Sequence, residues 1–315
     1  MRILVAGATG ALGRQLVPRL VAGGHDVTGM TRSDAKREMI RGMGAAALVA
    51  DALDAEAVAR VVAETEPEVI VHQLTALSGA LNARSYRKVL AETNRLRIEG
   101  TDHLLAAGRA VGVGRFVAQS YCGSGMPFAR TGGPVKTEDD PLDPEPAGDM
   151  RAGIDAIRHL ENAVTRADWT EGIVLRYGGF YGPGTSLTRG GEHFELIRKR
   201  KMPVIGNGAG IWSFIHIEDA ADATVIAIER GRRGIYNIVD DDPAPVRAWL
   251  PAAAAALDAR PPMHVPRWLG RLIAGEAFTV MMTEVRGASN GKAKRELGWQ
   301  PRHASWREGF PEAAR

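Results

Sequence analysis

Cysteine is the scarcest residue: the 315-residue chain has one, Cys122. A single thiol excludes an intrachain disulfide, and with no Cys/His cluster a structural zinc site is not expected either. No apolar run is long enough to span a bilayer, and no secretory leader precedes the first strand. A cytoplasmic protein that does not meet a membrane is the expectation. An excess of one charge is missing too. Forty Lys and Arg stand against 37 Asp and Glu, a net +3. The densest basic run, Arg198-Lys199-Arg200-Lys201, reads as a solvated helix end, so nucleic acid is not an expected partner. The length allows one large α/β domain with a smaller lobe.

Glycine is abundant, and its placement is informative. The apolar run Met1-Arg2-Ile3-Leu4-Val5-Ala6 reads as a buried strand. A helix begins after it, with Leu12, Leu16, Val17 and Leu20 on one face. Between them lies Gly7-Ala8-Thr9-Gly10-Ala11-Leu12-Gly13, the spacing G-x-x-G-x-x-G. A strand that turns sharply into a helix needs glycine where a side chain would block the turn or the approach of a ligand. The helix start offers free N–H groups and the positive end of its dipole, which suit a pyrophosphate.

Further strands are read at 25–30, 46–51, 68–72, 115–119, 171–176, 213–217 and 234–238. Helices are read at 54–65, 82–110, 149–167 and 219–229. The alternation predicts a parallel sheet with helices on both faces and ligands at the carboxyl ends of its strands. At the end of the second strand, Thr31-Arg32-Ser33 holds no acid for a ribose 2′-hydroxyl. Arg32, helped by Ser33 and by Lys36 or Arg37, can instead pair with a 2′-phosphate, which points to NADP, with NAD as the alternative. Asp51 with Ala52, and Leu74-Thr75-Ala76, fall where adenine and ribose would lie. Ser120 and Tyr121 follow the fifth strand. The proline-rich segment 123–148 reads as a long loop whose acidic run is a solvated turn. The region 243–315 reads as helical and punctuated by proline.

Together these segments resemble the extended branch of the short-chain dehydrogenases/reductases, the NAD-dependent epimerase/dehydratase type. The glycine turn is similar to that family's cofactor turn, and Asp51 to its adenine-side acid. Leu175-Arg176-Tyr177-Gly178-Gly179-Phe180-Tyr181-Gly182-Pro183-Gly184, Phe214-Ile215-His216-Ile217-Glu218-Asp219 and Leu297-Gly298-Trp299-Gln300-Pro301 resemble three further family segments, in the family's order. The resemblance implies a Rossmann-like doubly wound parallel sheet over 1–179 and 213–242, with a smaller C-terminal substrate lobe from 180–212 and 243–315. It also implies NAD(P), with Tyr177 and Gly178 among the cofactor contacts, a small-molecule substrate, and a homodimer through the helices at 82–110 and 149–167.

One family feature is absent. The catalytic tyrosine and lysine, four residues apart, would fall at Gly153 and Ile157, and no Tyr-x-x-x-Lys occurs anywhere in the chain. Tyr121 is the first candidate for an acid or base in their place, with Ser120 beside it. Tyr121 reads equally as pocket wall, and Ser120 as a turn residue. The expectation is an NAD(P)-binding oxidoreductase-like enzyme acting on a small organic substrate. A lyase, cyclase or isomerase on the same fold, or a non-catalytic dinucleotide sensor, stands as the alternative.

Overall fold

The first strand, β1 (Arg2–Ala6), is buried on both faces, as expected of a continuous apolar run at the centre of a parallel sheet. The structure is a computed structural model that describes residues 1–77, 83–124 and 127–315, leaving aside the side chains of 83–87 and 149. The other strands of the sheet are β2 (Asp26–Thr31), β3 (Ala46–Val49), β4 (Val69–His72), β5 (Arg115–Tyr121), β6 (Glu171–Tyr177) and β7 (Gly234–Ile238). Their order is β7-β6-β5-β4-β1-β2-β3. β1 runs parallel to both β2 and β4, so Ala6 lies opposite Met30 and His72. The chain fills one side of β1 outward to β3, then returns to β4 on the other. The reversal opens a crevice at the carboxyl ends of β1 and β4, the usual ligand position in such sheets.

Helices follow the strands as the sequence pattern predicts. α1 (Ala11–Ala22) buries Leu12, Leu16, Val17 and Leu20. α2 is Arg37–Gly42. α3 (Ala55–Thr65) is capped by Asp54, whose side chain accepts the Ala57 N–H at 3.0 Å. The helix predicted at 82–110 is not continuous: α4 (Ala83–Arg95) and α5 (Thr101–Val111) flank a π-helical turn at Leu96–Gly100. The predicted start at 82 lies outside the described residues. A hydrogen bond between His72 and the Leu96 main chain accompanies the wide turn. α6 (Arg151–Arg166) sets Ile157, Leu160 and Val164 inward, and α7 (Ile217–Arg230) precedes β7.

The described chain divides into two compact units. The first is Met1–Ser120 with Asp155–Leu175 and Ala221–Tyr236; the second is Tyr121–Ile154 with Arg176–Ala220 and Asn237–Arg315. The first has its core between sheet and helices, around Leu4, Val58, Ile70, Leu104, Phe116 and Val174. The second has an aromatic core in which Phe214 meets Trp249 at 5.3 Å and Phe310 at 5.1 Å between ring centroids.

Two sequence readings change in the second unit. The glycine-rich exit after β6 forms a short strand, Gly179–Tyr181, parallel to Phe214–His216. A Cβ on Gly178 would lie 2.7 Å from the Phe214 carbonyl carbon, so this glycine lets two main chains meet. The loop read at 123–148 (of which 125–126 lie outside the described residues) contributes a short strand, Val135–Lys136, paired with Gly287–Ala288. Its acidic run does form a turn: Asp140 accepts the Thr137 N–H at 2.8 Å. Of the apolar side chains in the C-terminal region, Trp249 is buried but Trp268 and Leu272 are 69 % and 78 % exposed.

Candidate functional site

The glycine turn shows three glycines with three different reasons. Gly7 has φ +95°, and a Cβ there would lie 2.6 Å from the Gln73 carbonyl oxygen. A Cβ on Gly13 would lie 2.4 Å from the Gly7 carbonyl oxygen and 2.6 Å from the Ala8 main chain. Both are demanded by the chain itself. Gly10 is exposed, and a Cβ there would meet only the Gly7 oxygen, at 3.3 Å. Its φ of −71° and ψ of 173° are open to any residue. Among the described residues only that oxygen, which would have to give by a few tenths of an ångström, stands against a side chain at 10. Gly10 is the residue before α1, whose first turn carries no acidic side chain. The N–H groups of Ala11, Leu12 and Gly13 lack partners within the helix, as at any helix start. Thr9 is half-buried and Leu12 points into the core.

Around this turn the first unit gathers most of the residues named from sequence. Arg32, directly after β2, is 60 % exposed and forms an ion pair with Glu92 of α4. The Ser33 N–H is turned back onto the Thr31 hydroxyl. Arg37 pairs with Asp34. Asp51 lies past the end of β3, exposed, and accepts the Leu53 N–H at 3.0 Å; His103 takes the Ala52 carbonyl at 2.9 Å. After β4 the chain is held from two sides. The Leu74 N–H donates to Nδ1 of His72, and the Ala76 N–H to the hydroxyl of the fully buried Thr93. Thr75 lies half-buried between them. Nε2 of His72 meets the Thr101 hydroxyl at 3.1 Å. Burial holds this imidazole neutral, with its pKa pushed down to about 4; nearby Arg97 acts in the same direction and the Leu96 main chain opposes it.

Ser120 and Tyr121 are the last two residues of β5, not a turn after it. Ser120 is buried and donates its hydroxyl hydrogen to Oε1 of Glu161 at 2.7 Å. Glu161 lies on the apolar stripe of α6, a buried carboxylate at a position where the periodicity calls for a hydrophobe. That break in pattern was the available signal for it. Glu92 and Thr93 had no such signal, because their partners are 60 and 17 residues away.

Tyr121 belongs to the second unit, with Tyr177 and Gly178. Its hydroxyl oxygen accepts the Ser124 N–H at 3.0 Å, and the ring is half-buried. Tyr177 is fully buried, its ring 5.4 Å from that of Phe180, so any contact it offers a ligand is through its main chain. The Gly178 N–H is taken by the Ile238 carbonyl. Cys122 is buried, with its thiol on the Arg176 carbonyl. Trp212 packs on Trp249 at 4.8 Å and donates its indole N–H to the Met281 carbonyl.

The second unit also assembles His216, Asp219 and His303, a group not foreseen from spacing. Asp219 sits in the first turn of α7 but does not cap it. It accepts the His303 main-chain N–H at 2.9 Å, His303 Nδ1 at 3.0 Å and Arg302 Nε at 3.3 Å. The two imidazoles are stacked, with centroids 3.7 Å apart and planes at 25°. Their in-plane lone pairs therefore run side by side rather than converging on one ion. The group reads as a fastening of the segment after Trp299 to the start of α7.

The strand order, the crevice beside β1 and the open helix start define a nucleotide-binding protein of the Rossmann class. Residues 3–239 match the NAD dependent epimerase/dehydratase family, and the chain belongs to it. It is 44 % identical over 315 residues to the 3-diazoavenalumate denitrifying reductase of a Streptomyces species, covering 98 % of this chain and 99 % of that protein. Among solved structures it is similar to the UDP-glucose 4-epimerase of Thermotoga maritima with UDP-glucose (TM-score 0.77, 20 % identity, 100 % and 97 % of the two chains). It is also similar to a human epimerase family protein with NADPH (TM-score 0.72, 22 % identity, 100 % and 99 %). The protein is an NAD(P)-dependent enzyme of the oxidoreductase type. Among the described residues, no helix is long and apolar enough to cross a membrane.

Proposed function

We propose that this enzyme is a reductase that delivers hydride to a substrate needing no proton in return, namely a diazo-substituted aromatic acid. The observation that carries this is the missing pair: no Tyr-x-x-x-Lys exists in the chain, and the corresponding positions hold Gly153 and Ile157. Hydride added to a carbonyl leaves an alkoxide, which must be protonated, and a tyrosine with its lysine does that work. Hydride added to the carbon of an arenediazonium forms a C–H bond while the C–N bond breaks and N2 leaves. Cation and hydride cancel, and no proton enters. The name of the Streptomyces relative, a denitrifying reductase of a diazo acid, supports the same chemistry.

The bound cofactor's part is to supply that hydride. Gly7, Thr9, Gly10, Ala11, Leu12 and Gly13 would hold its pyrophosphate. Asp51, Ala52, Leu74, Thr75 and Ala76 would hold its adenosine side, and Tyr177 and Gly178 the nicotinamide end. We take NADP as the preferred form, since Arg32 with Ser33 offers a cation and no acid follows β2 directly. Replacing Arg32 with Ala should weaken NADP binding at least ~10-fold and NAD binding less than ~3-fold by calorimetry. Equal losses would remove the 2′-phosphate assignment. A single cysteine gives no sign of an oxidising compartment, and we take a cytoplasmic setting as the default.

The direct experiment follows cofactor oxidation and gas release with a diazonium-bearing aromatic carboxylate. Cofactor deuterated at the transferable position should place deuterium on the carbon that lost nitrogen, and D2O should place none there. Label arriving from solvent, or turnover of ketones alone, would refute the reading.

Tyr121 supports a second reading, reduction of carbonyls. A phenol whose oxygen accepts a main-chain N–H is a better proton donor. Tyr121→Phe separates the two readings. Denitrification should stay within ~3-fold of wild type, whereas a proton-dependent reaction should fall ~100-fold or more.

A further inference from the structure

We propose that Glu92 on α4 sets how strongly the enzyme distinguishes the two dinucleotides. This rests on the reading that a nicotinamide dinucleotide occupies the glycine turn. In sequence, Thr31-Arg32-Ser33 has no acid, which points to NADP, with NAD as the alternative. In three dimensions an acid is there: the Glu92 carboxylate is paired with the Arg32 guanidinium, across 60 residues of chain. Glu92 is the more buried of the two, with its side chain 27 % exposed against 60 % for Arg32. On its own helix Lys88 stands one turn before it, and Arg95, which also feels the Glu92 charge, is held through two 2.7 Å bonds to Glu99. Arg95 also faces Asp51. The cation that Glu92 is directly paired with is Arg32.

This pairing acts oppositely on the two cofactors. A 2′-phosphate must take Arg32 from a carboxylate that both competes for the guanidinium and repels the phosphate. A ribose 2′-hydroxyl brings a donor, and the carboxylate is the acceptor that other proteins supply directly after the second strand. Glu92 thus restores in space the acid missing in sequence. Arg32 and Glu92 together make an enzyme that accepts NAD as well as NADP, with the preference held in check.

The test is calorimetric titration of wild type, Glu92→Gln and Arg32→Ala with NADP and NAD, with melting curves to confirm folding. Glu92→Gln should tighten NADP ~3- to 10-fold while NAD weakens or stays, raising the NADP:NAD affinity ratio ~10-fold. Glu92→Asp, which keeps the charge, should leave the ratio nearer to wild type than Glu92→Gln does. An unchanged ratio in Glu92→Gln, with Arg32→Ala still losing NADP, overturns this assignment alone. If Arg32→Ala also leaves the ratio unchanged, the 2′-phosphate reading fails as well. If wild type binds neither dinucleotide, the cofactor reading fails and takes this proposal with it.

Discussion

Gly10→Val should abolish dinucleotide binding while leaving a folded protein. The space beside Gly10 is bounded within the chain only by the Gly7 oxygen, 3.3 Å from a Cβ, and the local backbone is extended, as valine prefers. Loss of an N-terminal glycine cap should cost α1 about 1 kcal/mol. A branched side chain there fills the approach to the N–H groups of the first turn. Affinity for NADP and NAD should both fall at least ~100-fold, about 2.7 kcal/mol, by calorimetry. The control is Gly13→Ala, whose methyl would meet main chain at 2.4 and 2.6 Å. That variant should lose ~3 kcal/mol of stability or more in urea unfolding. Wild-type affinity in Gly10→Val would show that the turn is not where the cofactor sits.

Acid should destabilise the protein through His72, well before most carboxylates titrate. The folded-state pKa of about 4 lies below the ordinary value of 6.5. The unfolded chain therefore binds the extra proton first. Stability tied to neutral His72 is present above pH 6.5 and lost as pH falls from 6.5 through about 4, up to about 3 kcal/mol. His193 and His216, also lowered by burial, add in the same direction. Glu138 and Asp240, raised by burial, act in the opposite sense. The difference between wild type and His72→Gln is thus the quantity to measure. Urea unfolding at several pH values between 4 and 7 should show a shallower pH slope in the variant; equal slopes would refute the assignment. Because Nδ1 of His72 accepts the Leu74 N–H, protonation should also loosen 73–76, so cofactor affinity should weaken in the same window.

The glycine turn, the alternation of strands and helices, the buried face of α1 and the family segments were all legible in the linear sequence. Each rests on local periodicity or on backbone geometry within a few residues. Gly7 and Gly13 illustrate this: the turn that demands them is made by the same seven residues that announce it. The absent Tyr-x-x-x-Lys was equally plain, since a motif of fixed spacing is either present or not. The short strand at 179–181, the Val135–Lys136 pairing and the π-helical turn were not legible. Their partners (214–216, 287–288 and His72) lie far away in sequence.

The same division governs the site. The sequence by itself determined the fold class, the strand-to-helix turn that leaves room at Gly10, and the absence of a Tyr-x-x-x-Lys motif. Only the tertiary structure decided which charges face one another: Glu92 against Arg32, Glu161 under Ser120, Asp219 between His303 and Arg302. An ion pair or a buried hydrogen bond depends on a few ångströms between atoms, and residues 60 or 84 apart carry no mark of that nearness until the chain has packed.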